Sequence, residues 1–244
     1  MKFSIIIPFY NKYKLVNDRL MELNRILPHR PSKYEVMVVN DGSNNIESSS
    51  AKHNRDFWRS FVTPFKLRYG RIKENQGFGF AMNKGAENST GDILVFLSND
   101  VEVNVDFTAE IEALLEQDKN LLIGAQVLYH DTGWNTINGI IIPYVNGWFV
   151  SCHRDAWKRL KGFDWLTYGI ADYEDIDLSL TALSRGMKLK QLTCSNNHGL
   201  RHIGAQTIPY SPKREAHTKE NQKKFIAKWE SRIEEISEQI RNSS

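Results

Sequence analysis

The sequence predicts an α/β fold, a mostly parallel sheet covered by helices on both faces. Three observations carry that prediction. Strand-like and helix-like stretches alternate through the first half of the chain. Its strand-like stretches are continuous apolar runs, the pattern of strands buried on both faces, rather than alternating ones. Those runs stop abruptly on Asn, Asp, Gly and Ser, as strands do where they leave a sheet for a turn.

Each element can be placed in order. "FSIIIPF" (3–9) is β-branched and apolar, a first buried strand. A helix is expected from Tyr13 to Leu27, with Val16, Leu20, Leu23 and Leu27 on one face and Pro28 and Pro31 ending it. "YEVMVVNDGS" (34–43) is a second buried strand entering a turn at Asp41-Gly42-Ser43. Residues 44–65 are polar and without periodicity, and "KLRYGRIKEN" (66–75) is expected to be a third strand. "GFGFAMNKGAENSTG" (77–91) reads as a short helix entered through glycines and left through 88–91. "GDILVFLSNDVEV" (91–103) is the next strand, and a helix from Phe107 to Gln117 carries Phe107, Ile111, Leu114 and Leu115.

The second half changes character. "LLIGAQVLY", "TINGIIIPY" and "NGWFVSC" look like strands with few helices between them. A helix from Asp172 to Ser184 is stopped by Gly186, with Asp172 as its cap and Glu174 and Asp175 at the positive end of its dipole. Residues 213–240 form a charged helix whose Phe225, Ile226, Trp229, Ile233, Ile236 and Ile240 keep helical spacing. There is no internal repeat and no low-complexity linker.

Composition narrows the classes. With 244 residues, 41% apolar and 25% charged, the chain can bury a substantial core. A net charge of +3 suits a phosphate-bearing ligand without demanding one. Cys152 and Cys194 stand alone, with no metal-finger spacing, so a reducing compartment is expected. The opening "MKFSIIIPFYNK" lacks a cleavage site, and no run reaches the roughly 18 apolar residues of a membrane span. The expectation is a cytoplasmic protein, soluble or peripheral at the inner face of a membrane.

In open α/β sheets ligands bind beyond the carboxyl ends of the parallel strands. Here those ends are Pro8-Phe9-Tyr10-Asn11, Asn40-Asp41-Gly42-Ser43 and Ser98-Asn99-Asp100. Singly each is an ordinary turn or cap; together on one edge they offer groups for a base, a ribose and a metal-bound diphosphate. Asp100 and Glu102 would share a face if the chain stays extended there, and magnesium or manganese favours such oxygen ligands. "NQGFGFAMNKG" fails as a dinucleotide or P-loop fingerprint. "GIADYEDIDLSL" places four acids in six residues, either first-turn acids of a helix or a general base. "NNHGLRHIG" puts His198 and His202 four apart, but Gly199 stands where a zinc-protease helix needs Glu.

Taken in order, these segments resemble family 2 glycosyltransferases of the GT-A fold, most nearly the rhamnosyltransferase-like branch. "SIIIPFYNK" resembles the family's opening strand and "VVNDGSNN" its uridine-binding turn. "ENQGFGFAMNKGAENSTGDILVFLSNDVEV" is similar to its long signature ending at the metal site. "VNGWFVSCHRDAWKRLKGFDW" resembles the acceptor-side segment, and "YEDIDLSLTALSRG" with "LRHIG" resembles the acidic helix and late histidine.

The resemblance implies one domain over 1–211, with a nucleotide-sugar half at 1–104, an acceptor half at 105–211, and a C-terminal amphipathic helix at 212–244. It implies that Pro8, Tyr10, Asn11 and Asp41 hold the nucleoside, Asp41 on the uracil, while Asn75, Gly77, Asn83, Lys84 and Asn99 line the donor pocket. Asp100 and His202 would hold Mn2+ or Mg2+. Asp175 would be the base with Glu174 beside it, and Gly147, Trp148 and Asp164 would face the acceptor. The family's fuller metal motif is Asp-x-Asp; here Ser98 takes the first position, and Glu102 is a candidate to compensate. The reaction implied is inverting transfer from a UDP- or dTDP-linked sugar to a hydroxyl of a glycan, a lipid-linked sugar or a protein, as in surface-polysaccharide synthesis. The rivals are a non-catalytic nucleotide-sugar or glycan-binding module and a sugar-1-phosphate nucleotidyltransferase. The apolar face of the C-terminal helix is expected to pack on the domain or to make a contact with a second copy.

Overall fold

The computed structural model describes residues 1–44, 63–196, 198–204 and 211–241, the side chain of Gln239 excepted. The expected irregular stretch 44–65 therefore lies almost wholly outside the described residues. Strands in the first half are β1 (Phe3–Phe9), β2 (Tyr34–Asp41), β3 (Lys66–Ile72), β4 (Ile93–Leu97) and β5 (Val101–Val103). The second half contributes β6 (Leu121–Gly124), β7 (Val127–Leu128), β8 (Thr136–Ile137), β9 (Ile140–Ile141), β10 (Tyr144–Val145), β11 (Phe149–His153), β12 (Lys188–Gln191) and β13 (Leu200–His202).

One seven-stranded sheet runs in the order β12-β6-β11-β4-β1-β2-β3. Strands β4, β1, β2 and β3 are parallel; only β11 is reversed, antiparallel to both β4 and β6. The central strands are buried on both faces, as their unbroken apolar runs require. Ile5 and Ile7 point into one core with Val36, Val38, Val95 and Phe107. Ile6, Met37, Val39, Leu94 and Phe96 point into the other. Helices Tyr13–Ile26 and Thr108–Gln117 supply side chains to the first core; Phe78–Glu87, Arg154–Leu160 and Glu174–Ser184 supply the second. Among the described residues no helix is long and apolar enough to cross a membrane.

The second half departs from expectation in four ways. The run at 121–129 divides into the four-residue β6 and the two-residue β7, and that at 136–144 into two-residue ladders with a turn at Asn138 and Gly139, both with positive φ (49° and 76°). Helices Arg154–Leu160 and Trp165–Tyr168 follow the last of the expected strands, in a stretch to which the sequence assigned no element. The acidic helix begins at Glu174, not Asp172; Asp172 and Tyr173 lie in left-handed backbone at φ 72° and 79° before it.

The fourth departure is the C-terminal segment. It is a helix over Pro212–Trp229, a 3-10 turn over Glu230–Arg232 and a short helix over Ser237–Arg241. Phe225, Trp229, Ile233, Ile236 and Ile240 are at most 5% exposed and belong to the same core as Ile6 and Phe96. Of the two expectations for this apolar face, packing on the domain is the one the structure shows.

Candidate active site

The register aligns the strand exits. Phe9 lies opposite Asn40 and Ile6 opposite Phe96, so Tyr10, Asp41 and Ser98 emerge at one edge. The reversed strand β11 brings its start to that edge, and the Ser98 amide donates to the Trp148 carbonyl at 2.9 Å. A cavity of about 640 Å³ opens there, within the usual range for a small-molecule site. Pro8, Tyr10, Asp41, Asn75, Gly77, Asn99, Asp100, Gly147, Trp148, Glu174, Asp175 and His202 all line it.

At one wall, Asp41 accepts from the Gln76 amide (2.9 Å) and the Gly77 amide (2.8 Å), and Asn75 Oδ1 also accepts from Gly77 (3.0 Å). Burial pushes the Asp41 carboxyl above the usual carboxylate range, and the two amides offset this only in part. Gly77 sits at φ 97°, and an added Cβ would lie 2.4 Å from Ile170 Cα. Only glycine brings this helix start so close to the 169–170 backbone.

At the exit of β4, Asp100 Oδ1 lies 3.3 Å from His202 Nε2 and accepts from Ser98 Oγ at 2.6 Å. The His202 ring stacks on Trp148 with planes 9° apart and centroids at 5.5 Å. β13 pairs antiparallel with β5, which sets His202 opposite Val101, one residue past Asp100. Among the described residues no cluster of three His, Cys, Asp or Glu side chains could hold a metal ion unaided. One carboxylate and one imidazole suit a divalent ion whose other ligands come from a diphosphate and water.

Opposite stand Glu174 and Asp175. Asp175 accepts from the Gly147 amide (Oδ2, 2.9 Å) and from its own helix at Ile176 (Oδ1, 2.9 Å). Glu174 is buried, and its Oε2 has no hydrogen-bond partner among the described residues. Burial, reinforced by the Asp175 charge, pushes the Glu174 carboxyl up to about 8, and burial raises Asp175 as well. Such a pair titrates as a unit and keeps one proton near neutrality. With two N–H donors on Asp175 and none on Glu174 Oε2, the proton belongs on Glu174 and the charge on Asp175.

Five expected site residues do not line the cavity. Asn11 exchanges side-chain and backbone hydrogen bonds with Asn44, each 2.8 Å, tying the two strand exits together. Asn83 clamps the Phe163 backbone, donating to its carbonyl (2.9 Å) and accepting from its amide (3.0 Å). Lys84 pairs with Glu87 at 2.7 Å on the outer side of the same helix. The turn at Ser98–Val101 breaks the extended chain that would have aligned Glu102 with Asp100. Glu102 instead forms an ion pair with Arg201 at 2.5 Å, and no metal role follows for it. Asp164 caps helix Trp165–Tyr168 and binds Lys228 at 2.8 Å.

The cavity also includes Trp134, Tyr144, Arg214 and Thr218, which the sequence reading passed over. Arg214 and Thr218 were findable, because 214, 217, 218 and 221 form a polar stripe at helical spacing beside the apolar one. Trp134 and Tyr144 sit among short ladders and carry no periodic signal.

Comparison with known proteins gives one consistent result. A family model described as glycosyl transferase family 2 matches residues 4–172. An uncharacterized glycosyltransferase, YfnE, of Bacillus subtilis (strain 168) is 32% identical over 123 residues, 50% of this chain and 29% of its own length. A probable polypeptide N-acetylgalactosaminyltransferase 8 of Homo sapiens is 22% identical over 83% of this chain and 30% of its own length. The chain thus spans under a third of the length of both curated relatives. Among solved structures, a mannosyltransferase of Pyrobaculum calidifontis in complex with GDP-Man and Mn2+ aligns with a TM-score of 0.59 at 20% identity, over 78% of this chain and 54% of that one. GalNAc-T7 with UDP, GalNAc and Mn2+ aligns with a TM-score of 0.61 at 16% identity, over 78% and 42%. These likenesses establish the GT-A fold.

Proposed function

Because the chain belongs to glycosyl transferase family 2, we propose that it moves a sugar from a nucleotide-diphosphate sugar, UDP- or dTDP-linked, to an acceptor hydroxyl with inversion. One observation carries the reading: a single cavity joins the Asp100–His202 pair to the Glu174–Asp175 pair across the ends of the parallel strands. Solved GT-A neighbours that hold nucleotide and Mn2+ support it.

Tyr10 and Asp41 would receive the nucleoside, since each Asp41 oxygen keeps a lone pair beyond its amide bond. Asp100 and His202 would hold a divalent ion, whose chemistry is to neutralise a diphosphate as it leaves. Asp175 is the base. Its carboxylate, fixed by Gly147 and Ile176, takes the acceptor's proton as the hydroxyl attacks the sugar, while Glu174 retains the shared proton. Trp148, held by its stack on His202, would border both donor and acceptor. The five ordered segments favour the rhamnosyltransferase-like branch and a surface-glycan acceptor, reached from the cytoplasmic face of a membrane.

Calorimetric titration of UDP and dTDP, with and without Mn2+, tests the donor assignment. Metal-dependent binding of either supports it, and a panel of UDP-glucose, UDP-N-acetylglucosamine, GDP-mannose and dTDP-rhamnose then identifies the sugar by released nucleotide. If no nucleotide binds under any metal, the donor assignment fails.

A further inference from the structure

The family match ends at residue 172, just before the carboxylate pair. The approach to that pair is unusual. Asp172 and Tyr173 are consecutive non-glycine residues with left-handed backbone (φ 72° and 79°), a conformation that persists only where surroundings over-determine it. Nor does the helix that follows cap itself, since Tyr173 at its N-cap makes no side-chain capping bond.

What holds the corner comes from another helix, Pro212–Trp229. Arg214 reaches both Asp172 oxygens, Nη2 at 2.9 Å and Nε at 3.3 Å, and Thr218 Oγ1 donates to Oδ2 at 2.7 Å. Asn221, fully buried, sets its amide nitrogen within 3.0 Å of the carbonyls of Tyr168, Ala171 and Asp172. His217 meets the Ala171 carbonyl at 3.1 Å. Positions 214, 217, 218 and 221 lie on one helical face, so four successive contacts converge on one corner.

We propose that Arg214, Thr218 and Asn221 are positioning residues: through the Asp172–Tyr173 corner they aim Glu174 and Asp175 into the cavity. The consequence rests on the glycosyl-transfer reading, but the positioning itself can be tested without it. Arg214 and Thr218 also line the cavity, so a direct contact with the donor is the alternative to be separated. The two bonds from Arg214 to one carboxylate favour the positioning role.

The experiment uses the full chain and the variants Arg214→Ala, Arg214→Lys, Asp172→Ala, the Arg214→Ala/Asp172→Ala double, Thr218→Val and Asn221→Ala, each checked for folding by thermal melting. UDP affinity with Mn2+ is measured, then kcat and KM for nucleotide release from whichever sugar of the panel the wild type turns over. Arg214→Ala should lower kcat by about 10- to 100-fold, with the UDP affinity within about twofold. Arg214→Lys should recover part of the loss, and the double variant should be no worse than the single one. Unchanged kcat, or a tenfold loss of UDP affinity with kcat retained, overturns the proposal. An independent arm follows the Glu174 and Asp175 carboxyls by 13C NMR titration in Thr218→Val and Asn221→Ala. These neutral changes leave in place the charged and titratable groups facing the pair, namely Asp172, Tyr144, Tyr168, Tyr173 and Arg214. Movement of the paired titration by roughly half a pH unit or more supports positioning, and unchanged titration in both refutes it. If the protein binds no nucleotide at all, this arm still decides. Should Asn221→Ala not fold, Thr218→Val decides it alone.

Discussion

Asp100 Oδ1 and His202 Nε2 lie 3.3 Å apart although nearly half the chain separates them. The β5–β13 pairing brings them together, and the stack of His202 on Trp148 holds the ring there. Neither residue alone would be a distinctive ligand, and the proposed metal role rests on the pairing of one carboxylate with one imidazole at the exit of β4.

Asp100→Ala should therefore weaken Mn2+-dependent UDP binding by about 100-fold or more, given that outer partners of metal ligands alone cost 10- to 100-fold. Calorimetry with and without EDTA measures this. Wild-type binding should collapse on chelation, and the residual binding of Asp100→Ala should not respond to it. Equal EDTA sensitivity in both proteins would place the ion elsewhere.

The Glu174–Asp175 pair predicts a pH signature in stability. Glu174 is pushed up to about 8 in the folded protein from an ordinary 4.5. Its favourable contribution is full below about 4.5 and is lost as pH rises through about 8, because the unfolded chain releases that proton first. Urea denaturation between pH 5 and 8 should show stability falling, on the order of a few kcal/mol at most. Glu174→Gln should flatten that slope. Asp172 and Asp164, both held below the usual range by their cationic partners, lose their contribution only at the acid end, outside this window.

Asn83 gives the opposite kind of test. Its side chain makes two hydrogen bonds to the Phe163 backbone and does not line the cavity. Asn83→Ala should cost about 1–3 kcal/mol of stability by orphaning that amide and carbonyl. UDP affinity in the protein that remains folded should stay within about twofold. A large loss of affinity without loss of stability would return Asn83 to the donor site.

These cases show what the chain reveals before folding. The exits of β1, β2 and β4 were legible because parallel strands buried on both faces must be apolar throughout, and polar residues mark where they end. Asn83 and Lys84 were misplaced because a motif names residues without saying which side of a helix each faces. Glu102 was misplaced by a single turn at Asn99–Asp100, which no periodicity announces. In the C-terminal helix the apolar stripe was visible, yet its destination depended on tertiary packing, Phe225 against the Tyr173 ring and Trp229 beside Asp177. The polar stripe beside it was equally visible, but solvated faces look the same until a partner such as Asp172 lies opposite.

Gly77 and Gly133 allow backbone strain to be separated from close approach. Both have positive φ, 97° and 82°, so alanine at either is strained. At Gly133 an added Cβ meets nothing within 4 Å, and Gly133→Ala should cost about 1 kcal/mol. At Gly77 the same Cβ would lie 2.4 Å from Ile170 Cα and 2.6 Å from its carbonyl oxygen, contacts that backbone cannot easily yield. The clash would also pull the Gly77 amide from Asp41 and the Phe78 amide from the Ile170 carbonyl. Gly77→Ala should thus cost at least about 2–3 kcal/mol more than Gly133→Ala in urea denaturation. It should also weaken UDP binding, since the Asp41 carboxylate loses an anchor, whereas Gly133→Ala should leave binding unchanged. Equal costs at the two positions would mean that the helix start and the 169–170 backbone do not approach so closely, and the wall that Asp41 helps to build would have to be redrawn.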